Sequence, residues 1–123
     1  MLSQRFKTFK YAFDGIRDLI KTQPNAKVHL VATIIVVLGG FFFEVSITEW
    51  CILLLCIGFV FSAEAFNTSI EYLTDLVSPD IHPLAGKTKD AAAGAVLLVA
   101  ISSALVGCII FLPKIYRLIA PLF

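Results

Sequence analysis

The chain has 123 residues, 59% of them hydrophobic and 15% charged, with a formal net charge of +1. That length suits a single domain, and a mean hydropathy of +0.90 excludes an ordinary water-soluble fold in favour of an integral membrane protein. The near-neutral balance excludes a nucleic-acid binder, whose affinity would rest on a basic excess.

The first element is predicted over residues 1–22. Leu2, Phe6, Phe9, Phe13, Ile16 and Ile20 recur at helical spacing, with Lys7, Lys10, Asp14, Arg17 and Lys21 largely on other faces. No apolar core follows this basic start, so it is not a cleavable signal. It reads as an amphipathic helix lying on a membrane surface, its basic side toward headgroups or an anionic ligand; the plainer alternative is a simple anchor. Pro24 and Asn25 then turn the chain.

Three apolar runs follow, over 28–48, 50–76 and 90–112, each near the roughly 20 residues that cross about 30 Å of hydrocarbon. The second is apolar for its first 14 positions and acidic afterwards, so a hydropathy window alone is expected to reject it. The third opens A-A-A-G-A and continues with Ala100, Ser103, Ala104 and Gly107, small residues that let helices approach closely in lipid. An all-α fold is predicted, a surface helix plus three transmembrane helices in an oligomeric bundle. Six of the ten Lys and Arg precede position 28, Lys87 and Lys89 follow the second run, and only Lys114 and Arg117 follow the third. Eight against two puts the N-terminus and the second loop in the cytoplasm, with the chain in the bacterial plasma membrane.

The chemistry is concentrated in the second run. Glu64, Asn67, Glu71 and Asp75 lie at offsets 0, 3, 7 and 11, within an arc of roughly 80° on one helix face. Three carboxylates and an amide beside lipid are costly and require partners, water or a ligand. If the helix starts near Trp50 at the outer interface, Glu64 lies about 21 Å inward and Asp75 about 38 Å. The stripe then begins in the cytoplasmic leaflet and ends in water, so a lipid headgroup can meet one end and a soluble molecule the other.

The segment T-D-L-V-S-P-D-I-H-P-L-A-G-K-T-K-D (74–90) supplies complementary groups. Lys89 and Asp90 are predicted at the start of the third membrane helix, where free N–H groups favour phosphate. Glu71, Asp75, Asp80 and Asp90 are candidates for holding Mg²⁺. Gly86-Lys87-Thr88 imitates the end of a P-loop, but the earlier glycine would fall on Ile81 and no strand precedes it. Asn67-Thr68-Ser69 fits a glycosylation pattern yet sits within a membrane helix. Cys51, Cys56 and Cys108 lack metal-ligand spacing, and His29 reads as packing or headgroup contact.

The run Glu64-Ala65-Phe66-Asn67-Thr68-Ser69-Ile70-Glu71, then Asp75, then Ala85-Gly86-Lys87-Thr88-Lys89-Asp90-Ala91-Ala92-Ala93-Gly94-Ala95 resembles the small prokaryotic diacylglycerol kinase family. The likeness extends to Lys10-Tyr11-Ala12-Phe13-Asp14-Gly15 and Asn25-Ala26-Lys27-Val28-His29-Leu30, segments most similar to the undecaprenol kinase branch. The resemblance implies an ATP-dependent lipid kinase, Mg²⁺ as cofactor, and a homotrimer with active sites at subunit boundaries. By that resemblance Glu64 is the general base toward the lipid hydroxyl, Glu71 binds the metal bridging the ATP phosphates, and Lys89 neutralises phosphate charge beside Asp90. Asn67 and Asp75 orient the reacting groups, with Asn67 beside the lipid and Asp75 beside the nucleotide. Tyr11 and His82 line the nucleotide end. Many relatives carry a second metal-binding glutamate where this chain has Gln23. A neutral amide is a weaker oxygen ligand, so either metal binding is looser or Asp75 or Asp80 compensates. The competing reading is a small oligomeric proton or ion pathway through Glu64 and Glu71, against which the outer half of the second run is apolar throughout.

Overall fold

A computed structural model describes residues 1–123 as four α-helices: α1 (Leu2–Thr22), α2 (Pro24–Phe42), α3 (Ile47–Val77) and α4 (Pro83–Ile119), closed by a short 3₁₀ turn at Ala120–Leu122. Only Gln23 separates α1 from α2. Its extended backbone (φ −98°, ψ 117°) is the conformation that a following proline imposes. Pro24 then starts α2, where its missing N–H costs nothing. The helix therefore begins four residues before the apolar run expected at 28–48.

It also stops earlier, at Phe42, although the apolar run continues. Val45 N–H donates to the Gly40 carbonyl at 3.1 Å and Glu44 N–H to Phe41 at 3.3 Å, the two crossed bonds of a Schellman stop. Glu44 occupies the left-handed position, φ 50°, where glycine is the usual occupant. Two residues later a capping box opens α3. Glu49 N–H donates to Ser46 Oγ at 3.1 Å, and Ser46 N–H donates to Glu49 Oε2 at 2.8 Å.

α2, α3 and α4 are each long and apolar enough to cross a membrane. Against expectation, α3 qualifies despite its acidic end, with a window of mean hydropathy 1.8, because Glu64 is the only charged residue between Trp50 and Ile70. At about 1.5 Å per residue its 31 residues reach about 46 Å, longer than a hydrocarbon core, so one end must leave it.

Packing within the chain is thin. Only 12 of 123 residues are buried, while Ile34, Leu38, Leu54, Phe59, Leu98 and Leu105 are exposed. Burying such a side chain is worth roughly 1.5–3 kcal/mol, so lipid or further copies must cover these faces. Most interhelix packing is between α3 and α4. A small cluster of Val45, Leu53 and Ile110, flanked by Trp50 and Phe111, closes the α2–α3 corner. There the Trp50 indole lies against Gly40, where an added Cβ would come within 2.4 Å of the ring. Lys114 Nζ reaches Glu49 Oε1 at 3.0 Å and ties α4 to the same corner.

Candidate functional site

The acidic stripe forms one continuous face of α3, and its burial is graded. Glu64 is 1% exposed and Asn67 7%, Glu71 is half-buried, and the Asp75 side chain is 62% exposed. Spacing puts the four on one face; α2 packs at its buried end through His29, while its far end meets α4 through the exposed Asp75–Lys89 pair. Asn67 Nδ2 donates to Glu71 Oε1 at 3.4 Å, one turn along.

Three oxygens in this stretch are buried without a hydrogen-bond partner: Glu64 Oε2, Asn67 Oδ1 and Thr68 Oγ1. Each such group costs roughly 1–3 kcal/mol, and three within two helical turns mark a place built to meet something. Thr68, 4% exposed, was not among the sequence candidates. Its signal was available, since i+4 from Glu64 falls on the same side of the helix.

Lys89 Nζ forms an ion pair with Asp75 Oδ1, which joins α4 to the outer end of the stripe. Both partners are substantially exposed, and such pairs contribute little to stability, so an incoming anion can take the lysine at small cost. The expectation that Lys89 and Asp90 open a helix is corrected. α4 begins at Pro83, capped by His82, whose Nδ1 accepts from Leu84 N–H at 3.1 Å. Pro83 and the cap place the helix start seven residues before Asp90, beyond the first turn where the helix dipole acts. What Lys89 offers an anion is its own ammonium group. Gly86, Lys87 and Thr88 lie inside α4, so the P-loop likeness has no structural counterpart.

Gln23 at the α1–α2 corner donates through Nε2 to Tyr72 OH at 3.4 Å and Thr22 Oγ1 at 3.2 Å, and Tyr72 OH donates to Asp18 Oδ2 at 3.3 Å. These bonds bring the corner beside α3 one residue from Glu71. His82 borders a hollow of about 400 Å³ with Thr74 and Thr88, a space that the stripe residues do not line. Tyr11 is exposed on α1 and Asp90 exposed on α4, and neither makes a side-chain hydrogen bond or ion pair with the stripe. Asn67 faces a second hollow of about 310 Å³, shared with Asn25, His29 and Ala93. No three acidic, histidine or cysteine side chains converge as a metal-holding group. Mg²⁺ needs no such cage where one or two carboxylates and phosphate oxygens supply its ligands. Half-buried Glu71, steered by Asn67, fits that kind of site.

The chain is similar to known proteins along most of its length. Residues 10–111 match the family described as prokaryotic diacylglycerol kinase. The chain is 46% identical over 114 residues to an undecaprenol kinase of Bacillus subtilis, covering 93% of each protein. It is 34% identical to a diacylglycerol kinase of Synechocystis over 90% of this chain and 64% of the relative. With a diacylglycerol kinase of Escherichia coli it shares 25% identity over 85% of each.

Proposed function

The chain belongs to the prokaryotic diacylglycerol kinase family, and from that premise we propose that this lipid kinase phosphorylates undecaprenol, using Mg-ATP, at the cytoplasmic face of the membrane. The observation that carries the proposal is the graded stripe, with a buried Glu64 at one end and the exposed Asp75–Lys89 pair at the other. A greasy alcohol reaches the first and a triphosphate the second.

Glu64 accepts the proton of the lipid hydroxyl. The freed oxygen attacks the γ-phosphorus, the bond from that phosphorus to the β-phosphate oxygen breaks, and ADP leaves. Phosphoryl transfer asks mainly for positioning and charge neutralisation, which suits so small a set of side chains. Asn67 orients the lipid end and steers Glu71. Glu71 would hold Mg²⁺, with Gln23 a weak second ligand; the ion, when bound, would neutralise charge on the phosphates. Lys89 leaves Asp75 to meet the phosphates, and Asp75, Asp90, His82 and Tyr11 complete the nucleotide end. The half of α3 before Glu64 buries Leu53 and Val60, which offers no continuation for a proton pathway.

α1 lies on the inner leaflet. Phe6, Phe9, Phe13 and Ile16 are exposed along it, an apolar face that acyl chains cover, with its basic residues at the headgroups. The N-terminus and the α3–α4 hairpin are cytoplasmic. Three copies assemble through the sparsely covered helix faces, so that Tyr11 and Asp90 reach the site of a neighbouring copy. Undecaprenol is preferred over diacylglycerol on the strength of the 46% identity. Purified protein supplied with ATP and each lipid in parallel tests the choice: faster formation of undecaprenyl phosphate is expected, and faster formation of phosphatidic acid reverses the assignment.

A further inference from the structure

Glu64 has one polar neighbour that the phosphoryl-transfer scheme leaves unused. His29, on α2, brings Nε2 to 3.9 Å from Glu64 Oε2, the carboxylate oxygen that is shut off from solvent and unpartnered. The imidazole is half-buried and braced edge-on by Phe61, with ring centroids 6.5 Å apart and planes at 78°. Closing about 1 Å gives an N–H···O bond of ordinary length. An aliphatic residue would fill the same place without carrying polar nitrogens into an apolar helix interface.

We propose that His29 is a positioning residue for the base: its Nε2–H donates to Glu64 Oε2 and turns Oε1 toward the lipid hydroxyl. This role rests on Glu64 being the base. A carboxylate on a long side chain has several rotamers, and a donor from a second helix selects one of them. The same bond supplies the missing partner of a buried oxygen. It explains why α2 presents an imidazole at the depth of Glu64. The neutral ring suffices, since the tautomer protonated at Nε2 leaves Nδ1 as an acceptor.

The test is steady-state kinetics of the full chain in lipid–detergent micelles, with turnover and the KM for ATP measured for each variant. His29→Ala is expected to lower kcat about tenfold or more, the scale of losing a hydrogen bond to a charged group, with KM for ATP unchanged. His29→Gln, whose amide nitrogen lies where Nε2 lies, restores most of the rate. His29→Asn, whose amide nitrogen matches Nδ1, does not. In a Glu64→Gln background, His29→Ala adds no further loss, because residues acting as a unit are not additive. Wild-type kcat in His29→Ala overturns the proposal, as does equal rescue by Asn and Gln, or a full additional loss in the double variant. A fully active Glu64→Gln overturns the base assignment itself, and the two failures are thereby distinct.

Discussion

The two halves of α3 treat polar groups in opposite ways. At its N-terminal end no buried polar side-chain atom lacks a partner: Ser46 pairs with Glu49, Glu49 with Lys114, and the α2 carbonyls with the Schellman amides. From Glu64 to Thr68 three buried oxygens have no protein partner. The first end is complete in itself and holds the helices together. The second, on the function proposed above, awaits His29 and a substrate, and it retains polar atoms that stability alone would replace by apolar ones. Polar residues within a single membrane helix thus divide by whether the chain satisfies them.

The contrast breaks most decisively at Glu64. Glu64→Gln is expected to lower turnover by about 10²- to 10⁴-fold, the usual contribution of a positioned base, with helix content by circular dichroism unchanged. Lys114→Met, which unpairs Glu49, should leave turnover within about twofold. Equal losses in the two variants would erase the distinction between the halves.

Gly40→Ala probes the structural end. A methyl group there meets the Trp50 ring at 2.4 Å, and overpacking of this kind costs roughly 1–3 kcal/mol. A lower midpoint in detergent denaturation is expected, with the Mg²⁺ dependence of the remaining activity unaltered. An unshifted midpoint would mean that the indole does not pack where the structure puts it.

Gln23→Glu sharpens the functional end, because it returns a carboxylate beside Tyr72 and one residue from Glu71. The Mg²⁺ concentration for half-maximal rate should fall a few-fold; an unchanged value would show that Gln23 lies outside the metal's reach. Smallest of all, Glu44→Gly relieves a left-handed backbone and should raise stability by up to about 1 kcal/mol. A loss of stability there would contradict the Schellman geometry.

Much of the site is written in spacing. Offsets of 3, 7 and 11 on one helix require no tertiary information, so Glu64, Asn67, Glu71 and Asp75 can be aligned from the sequence and form one face in the structure. Contacts between helices are another matter. His29 lies 35 positions before Glu64, and nothing local to N-x-x-x-H-L says which way α2 is rotated. The Gln23–Tyr72–Asp18 chain is hidden for the same reason. Helix ends were read only approximately, since hydropathy is blind to the bonds that stop a helix. Phe43 is as apolar as Phe42, yet the crossed bonds at Gly40 and Phe41 end α2 there. Pro83 after a capping histidine likewise starts α4 well before the charge-free run begins, so Lys89 and Asp90 lie inside the helix and not at its first turn. Whole helices were legible because their lengths follow from the thickness of a bilayer.

The four-residue link closing α2 onto α3, clamped by a crossed-bond stop on one side and a reciprocal cap on the other, leaves those two rods little freedom to slide past each other. Whatever rearrangement accompanies the entry of a nucleotide and the exit of a phosphorylated lipid must therefore be absorbed at the opposite pole. There, one extended residue at position 23 joins α2 to α1, and the irregular segment 78–82 joins α3 to α4. The molecule resembles a pair of tongs whose α2 and α3 arms are riveted through the chain at one tip and meet only through side chains at the other.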